Sequence, residues 1–145
     1  LAQLPLGMVM APGHPLAQHD RVSLKDCAQH PFLRSGTQPV FGASLSAEFT
    51  SFWESMTPAA TCNSTPLIKR LLKAGKGIST FSKIAVLEEL RRGELVWKPF
   101  ALPVLNQLQV GIIVPSQRAL PQVAQNFVGR LARNLSKLEQ IAAAL

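Results

Sequence analysis

The stretch TCNSTPLIKRLLKAGKGISTF, residues 61–81, predicts a strand–helix–strand unit and decides the fold class. We expect its helix to begin at Thr65, because Pro66 then occupies a first-turn position that needs no backbone N–H. Gly75 follows the last turn and supplies a left-handed C-cap, a position that favours glycine. The inner face of the helix is expected to consist of leucines, at Leu67, Leu71 and Leu72.

Strands and helices alternate along the rest of the chain as they do in this unit. Strands are predicted at residues 6–10, 31–33, 59–62, 78–81, 95–100 and 108–114. Helices are predicted as one turn at 23–29 capped by Ser23, a segment at 82–92 that stops at Gly93, and a long helix from about Pro121. A further amphipathic helix has its apolar stripe at Phe41, Leu45, Phe49, Phe52, Trp53 and Met56. This order predicts an α/β fold, with a largely parallel sheet and helices on both of its faces.

Length and composition indicate one compact domain with a core of its own. The 145 residues are 47% hydrophobic and 16% charged, which excludes a disordered tail. No apolar segment approaches the roughly 18 residues that a membrane-spanning helix requires, so no membrane partner is predicted. Because the chain begins with Leu1, we expect a processed or truncated product of a longer protein. Cys27 and Cys62 are expected to be free thiols in a reducing cytosol, with a disulfide as the alternative.

The formal net charge is +7, but the basic residues are dispersed along the chain. The sequence has no run of five basic residues and no aromatic residues interleaved with them. We therefore predict a solvated basic surface first, and attraction for a small anionic ligand second. Direct binding of this chain to DNA is not expected, since no recognition helix is evident.

Ligands of open α/β sheets gather at the carboxyl ends of the strands, where the amino ends of helices converge. Three loops lie at such ends here, and each offers small hydroxyl or amide side chains beside free backbone N–H groups. Donors of this kind suit a carboxylate or another small anion. The predicted ligand-binding residues are Arg34, Ser35, Gly36, Thr37, Asn63, Ser64, Ile78, Ser79, Thr80 and Phe81. Helix capping is the alternative role for each Ser, Thr or Asn taken singly, and it contributes about 1 kcal/mol without any ligand.

No set of catalytic or metal-binding residues stands out in the sequence. His14 and His19 share a loop and His30 precedes a proline, and no carboxylate or cysteine completes a zinc set around them. The segment GKGIST at residues 75–80 lacks the spacing of a phosphate-binding loop, and its glycines end a helix rather than begin one. We therefore predict no enzymatic activity, no metal and no cofactor.

The final helix carries an apolar stripe with alternating spacings of four and three residues. The stripe consists of Ala124, Val128, Leu131, Leu135, Leu138, Ala142 and Leu145. Packing against its own domain is the first expectation for such a stripe, and association with another subunit is the alternative. If the stripe normally packs on a part of the protein that is missing here, its apolar side chains need another partner. We then predict a dimer or larger assembly that buries Val128, Leu131, Leu135 and Leu138.

Four blocks of sequence, in a consistent order and spanning nearly the whole chain, carry a family resemblance. The blocks are GMVMAPGHPLA at 7–17, VSLKDC at 22–27 with HPF at 30–32, NS at 63–64 with LLKAGKGI at 71–78, and EELRRGELV at 88–96. They resemble the "HPLA" turn, the "v-x-l-x-D-L…P" segment, the "NS…lV-x-aG-x-Gi" stretch and the "eL-x-x-G-x-Lv" stretch of one family. The chain is similar in these blocks to the effector-binding domain of LysR-type bacterial transcription regulators.

The resemblance implies two α/β lobes joined by two crossover strands, like a type 2 periplasmic binding protein. Residues 1–12 would form one crossover strand, and residues 13–107 would form the second lobe. Residues 108–145 would return to the first lobe as a crossover strand and a C-terminal helix. The rest of the first lobe and an N-terminal winged helix-turn-helix would lie outside this chain.

The function implied by the resemblance is that of a cytoplasmic sensor. A small molecule in the cleft between the lobes would modulate DNA binding by the winged helix-turn-helix within an oligomer. Family inducers contact two segments that match residues 34–37 and 78–81. The sequence departs from the family at Ser82, where a proline is frequent. A lobe of a solute-binding protein for transport shares the architecture and is the alternative function.

Overall fold

The computed structural model describes residues 2–36, 47–107, 109–115 and 119–144. Its strands are β1 (Ala2–Gln3), β2 (Leu6–Met10), β3 (Leu33–Ser35), β4 (Ala60–Cys62), β5 (Ser79–Ser82), β6 (Val96–Pro99) and β7 (Gln109–Val110). Its helices are α1 (Leu24–Cys27), α2 (Ala47–Ser55), α3 (Thr65–Lys73), α4 (Leu87–Arg91) and α5 (Gln122–Ala143). Short 3₁₀ segments lie at Pro15–Gln18, Lys83–Val86 and Pro103–Gln107.

The central strand β2 runs opposite to its neighbours. It pairs antiparallel with β5 on one side and with β6 on the other. On the far side of β5, a parallel bridge between Phe32 and Ile78 leads to β3, which pairs parallel with β4. Strands β3, β4, β5 and β6 therefore run in one direction. The predicted α/β fold is confirmed, but the sheet is mixed rather than largely parallel, because β2 is antiparallel to both of its neighbours. Separately, β1 and β7 form an antiparallel pair.

Helices cover both faces of this sheet. On one face, α2 joins strand residues in a cluster that includes Phe49, Phe52, Met8, Met10, Phe32, Ile78 and Phe100. On the other face, α3 joins a cluster of Ile68, Leu72, Val9, Leu33, Val86 and Leu95. Neighbouring residues of a strand enter opposite clusters because side chains alternate across a sheet. All five residues of β2 are buried, as expected of a central strand that is covered on both faces.

Helix α3 begins and ends where the sequence predicts, with Ser64 as its N-cap and Gly75 at a φ of 69° just after it. Its inner face differs from the prediction, because Ile68 and Leu72 are the buried residues. Leu67, predicted to face inward, is 46% exposed. The reason is rotational, since residues four apart share one side of a helix and the preceding residue points about 100° away.

Several other predicted elements are confirmed with shifted ends. Ser23 caps α1, its Oγ accepting the N–H of Asp26 at 3.1 Å, and α5 covers the predicted final helix. The strand predicted at residues 31–33 begins and ends two residues later in the structure, as β3. The helix predicted at 82–92 is a 3₁₀ segment followed by α4, and the Ser82 side chain makes no cap hydrogen bond. Phe41 and Leu45, from the predicted stripe of α2, lie outside the described residues.

The strand predicted at residues 108–114 is the largest overestimate. Within the described residues, β7 has only two residues, and residues 111–115 are irregular. A strand extends only as far as a partner offers hydrogen bonds, and β1 is also two residues long. Alternating hydrophobicity predicts which side chains share a face, but it does not supply the partner.

The cysteines are free thiols, as predicted. Cys27 lies in the core, and burial raises the pKa of its thiol to about 12, so this cysteine stays protonated at neutral pH. Cys62 is half-buried at the end of β4. Among the helices that the structure describes, none is both long enough and apolar enough to span a membrane.

Candidate functional site

The carboxyl ends of β3 and β4 meet at one edge of the sheet. Ser35 lies opposite Cys62 in the register of the two strands, and the N–H of Gly36 donates to the Cys62 carbonyl oxygen at 2.8 Å. A Cβ atom placed on Gly36 would lie 3.4–3.5 Å from atoms of Asn63. Ser35, Gly36 and Asn63 are therefore brought together, and we refer to these three residues with Ser64 as the strand-end cluster.

Ser64 connects this cluster to the amino end of α3. Its Oγ accepts the N–H of Leu67 at 3.4 Å, and its own N–H donates to the Cys62 Sγ at 3.2 Å. The capping role that the sequence offered as an alternative is thus present at Ser64. A helix amino end carries partial positive charge from its unpaired N–H groups, so the cluster lies in a region that favours anions.

The ligand-binding residues predicted at 78–81, in and just before β5, are more deeply buried than the strand-end cluster. Ile78 is fully buried in the core, and its backbone bonds with Pro31 and Leu33 join β5 to β3. Ser79 is 2% exposed, and its Oγ donates to the Leu33 carbonyl oxygen at 2.7 Å. The carbonyl oxygen of Phe81 accepts a hydrogen bond from the indole N–H of Trp97, a residue of strand β6. The described contacts of Ile78 and Ser79 thus hold the sheet together.

Arg34 contacts helix α2. One terminal amino group of its guanidinium donates to the carbonyl oxygens of Trp53 at 2.6 Å and Met56 at 2.8 Å. Its Cζ also lies 5.3 Å from the centroid of the Trp53 ring. A cation at this position satisfies carbonyl groups that have no partner within the helix and opposes the negative end of its dipole. Sequence reasoning did not identify Trp53 as a neighbour of Arg34, because 19 residues separate the two along the chain.

One predicted ligand-binding residue and the predicted oligomer interface remain to be placed. Thr37 lies outside the described residues. On α5, Val128, Leu135 and Leu138 are half-buried, whereas Leu131 is 36% exposed. The most exposed apolar side chains of that helix are Val123 and Phe127, which the predicted interface does not include.

Ion pairs connect charged side chains of α3 and α4 and of the residues that follow α4. Lys69 of α3 binds Glu89 of α4 at 3.0 Å, beside a groove of about 380 Å³ along α3. His14 and His30 have ring centroids 4.5 Å apart, and burial together with the His30 charge lowers the pKa of His14. The described residues contain no group of three or more His, Cys, Asp or Glu side chains placed to hold a metal ion.

The strands and helices form a mixed α/β fold that matches periplasmic-binding-protein-like regulatory domains. A family model described as the LysR substrate binding domain matches residues 1–136. The chain therefore belongs to the LysR substrate-binding domain family, whose domains sense effectors for LysR-type transcription regulators rather than catalyse reactions. This assignment does not favour the alternative of a transport lobe.

Solved structures show the same fold at low sequence identity. OxyR of Corynebacterium glutamicum is 20% identical with a TM-score of 0.69, and the match covers 99% of this chain and 45% of that one. HinK, a LysR family transcriptional regulator from Pseudomonas aeruginosa, is also 20% identical, with a TM-score of 0.65 over 94% of this chain and 46% of that chain.

The effector binding domain of QuiR in complex with shikimate is 17% identical, with a TM-score of 0.59 over 94% of this chain and 64% of that chain. The chain spans about half the length of the regulators that it matches. The same holds for the regulatory domain of MetR from N. meningitidis, of which the match covers 48%. A search of curated proteins found no significant match.

Proposed function

We propose that this chain senses a small, anionic effector for a LysR-type transcription regulator. The effector would bind in the cleft between this lobe and a first lobe and would modulate DNA binding by a winged helix-turn-helix outside these residues. The observation that carries the proposal is the hydrogen bond from Gly36 to Cys62, which gathers the strand-end cluster beside the amino end of α3. Arg34, Thr37, Ile78, Ser79, Thr80 and Phe81 complete the proposed site.

Electrostatics supports an anion as the effector. The chain has a formal net charge of +7, so its long-range field attracts negatively charged solutes. At close range, the N–H groups at the amino end of α3 provide local donors. The effector binding domain of QuiR is in complex with shikimate, which supports a small molecule rather than a macromolecule as the effector here.

We assign residues 13–107 to the second lobe and residues 1–12 and 108–145 to its connections with the first lobe; within residues 1–12, β2 also serves as the central strand of the sheet of the second lobe. The pairing of β1 with β7 supports this division, because it places the two connections side by side where they leave the lobe. Residues 108–145 would then contribute a returning strand and the C-terminal helix to the first lobe.

The remaining properties of the whole protein follow from the family. We propose a non-enzymatic cytoplasmic regulator that acts as a homo-oligomer, binds no membrane and contacts DNA only through its N-terminal domain. The proposed oligomer buries the α5 residues Val128, Leu131, Leu135 and Leu138. Sedimentation of the chain as a clean monomer with α5 well ordered would contradict that interface.

The proposal is tested by a thermal-shift screen of the full-length protein that contains this chain against small carboxylates, amino acids and aromatic acids. An effector at 100 times its Kd adds about 2.7 kcal/mol of apparent stability. Asn63→Ala should abolish the shift, because the exposed Asn63 side chain belongs to the strand-end cluster. Asn134→Ala, on the exposed surface of α5, is the matched control and should leave the shift unchanged.

Two outcomes would count against this proposal in different ways. A ligand whose shift is the same in wild type and Asn63→Ala would retain the sensor and remove the strand-end cluster from the site. A broad panel that produces no shift in wild type would remove the sensing function itself.

A further inference from the structure

Two histidines from separate segments of the chain face each other outside the proposed site. The ring centroids of His14 and His30 lie 4.5 Å apart, with the two rings at 66° in an edge-to-face arrangement. Both side chains are half-buried, and neither is a proposed ligand-binding residue. Imidazole is the side chain that normally titrates nearest to neutral pH, so the charge of this pair depends on pH in the range that cells experience.

The hydrogen bond of His14 depends on the protonation of its ring. Nδ1 accepts the N–H of Leu16 at 3.2 Å and thereby caps the 3₁₀ segment Pro15–Gln18. In the neutral ring the proton therefore lies on Nε2, whereas a protonated imidazole carries a hydrogen on both nitrogens. Protonated Nδ1 has no lone pair for an acceptor bond. One proton on His14 therefore breaks the bond to Leu16 directly.

The surroundings of His14 oppose a positive charge on its ring. Burial is the main cause that lowers the pKa of His14, and the charge of His30 is the second cause. Among the described residues, no ion pair gives either histidine a carboxylate partner, and the Asp26 carboxylate accepts the hydroxyl of Ser23 at 2.6 Å. The other titratable or charged side chains of the adjoining elements are His19, Asp20, Arg21, Lys25 and Cys27, with Lys98 on β6, against which the 3₁₀ segment packs. The folded chain therefore favours the neutral ring.

The bond that a proton would break lies beside the core. Leu16, whose N–H donates to His14, is 4% exposed and belongs to the same core cluster as Val22, Cys27 and Phe32. The cap fixes the backbone of Leu16 and so fixes where its side chain enters that cluster. A change in the charge of a half-buried ring is thus connected to the packing of the core.

His30 lies next to the strands that carry part of the proposed site. The carbonyl oxygen of the following residue, Pro31, accepts the N–H of Ile78 at 2.9 Å. The Ile78 carbonyl oxygen in turn accepts the N–H of Leu33 at 2.8 Å. These two bonds join β3 to β5, so a displacement of His30 is passed to both strands.

We propose that His14 and His30 form a proton-operated switch between the turn after β2 and the start of β3. Uptake of a proton by His14 breaks its bond to Leu16, and the two rings repel each other when both are charged. The 3₁₀ segment then loses its cap, and Leu16 is released from its fixed position in the core. A fall in pH below about 6.5 shifts the chain toward this uncapped form, because the unfolded or opened ring takes up the proton more readily than the buried one. The inference does not rest on the proposed function, since the switch operates without an effector.

The switch is tested by NMR titration of the chain, labelled with ¹³C and ¹⁵N, from about pH 8 to about pH 5 without ligand. The chain has three histidines, so single substitutions assign each ring signal. We expect the titration midpoint of His14 to be lower in the folded chain than in the chain unfolded by urea. The amide signal of Leu16 should move with the same midpoint as the His14 ring.

Substitutions separate the pair from its surroundings. His30→Gln removes the neighbouring charge and should raise the His14 midpoint. His19→Gln, at an exposed position close in sequence, is the matched control and should leave that midpoint unchanged. His14→Asn retains an acceptor for the cap but does not titrate, so the Leu16 amide signal should then stay constant with pH.

Three results would overturn the inference. A Leu16 amide signal that stays constant while His14 titrates would show that the proton does not break the cap. A His14 midpoint that is the same in His30→Gln and in wild type would show that the two rings do not act as a pair. Imidazole ¹⁵N shifts that place the proton of neutral His14 on Nδ1 would remove the switch, because that nitrogen could not accept the N–H of Leu16.

Discussion

Replacement of Thr80 by valine should make the ligand-free chain more stable. The Thr80 Oγ1 atom is buried and unpartnered, and burial of a hydroxyl without a hydrogen bond costs about 1–3 kcal/mol. Valine keeps the volume and the β-branching that suit residue 80 to strand β5, so no cavity forms. Removing the hydroxyl should therefore raise the free energy of unfolding by about 1 kcal/mol, the lower end of that range.

The measurement is urea unfolding, followed by tryptophan fluorescence. A gain of about 1 kcal/mol corresponds to a Tm increase of about 2–4 °C for a chain of this size. Thr57→Val should change stability by less than about 0.5 kcal/mol, because residue 57 is exposed. A loss of 1 kcal/mol or more in Thr80→Val would refute the reasoning, since it would mean that the hydroxyl already has a partner in the free protein.

Three further substitutions test other contacts of the fold. A Cβ on Gly7 would clash with the Trp97 ring, so Gly7→Ala should cost about 1–3 kcal/mol in urea unfolding; a neutral result would show that the ring moves freely. Ser79→Ala should also cost about 1–3 kcal/mol, because the Leu33 carbonyl loses its buried donor; an unchanged urea midpoint would contradict the Ser79–Leu33 bond. Because burial lowers the pKa of His14 in the folded chain, the unfolded chain binds the proton more readily, and stability should fall as the pH drops below about 6.5. His14→Asn retains a capping side chain and should flatten this part of the pH profile; an equally steep profile would assign the loss to other groups.

The local signals of the sequence predicted the elements whose ends are set by local chemistry. Helix α3 begins after the N-cap Ser64 and ends before Gly75, because side-chain capping and positive φ are properties of single residues. The order of strands and helices predicted the sheet with helices on both faces for a similar reason. The periodicity of each element indicates its type, and the layered α/β arrangement follows from their alternation. The alternation did not predict that β2 is antiparallel to both of its neighbours, which makes the sheet mixed.

Features that depend on distant partners were beyond this reasoning. The inner face of α3 was misjudged by one residue, at Leu67 rather than Ile68, because the leucine pattern does not fix the rotation of a helix against its sheet. The strand after residue 108 was overestimated because its partner β1 is short. Trp53 was assigned to a buried stripe, and only the packing of α2 on β3 places its indole beside Arg34.

Arg34 shows why a ligand-site residue and a structural residue are not exclusive alternatives. Its guanidinium carries five N–H donors in a fixed plane, and one terminal amino group is used to hold the carbonyl oxygens at the end of α2. That bond fixes the plane and leaves Nε buried without an acceptor. A lysine has its N–H donors on one flexible ammonium group, so it cannot hold the helix with one nitrogen while a second nitrogen stays available. Because the same side chain holds α2 and belongs to the proposed site, an effector that contacts Arg34 would act directly on the packing of α2 against the sheet, which gives the protein a physical route from ligand binding to a change in shape.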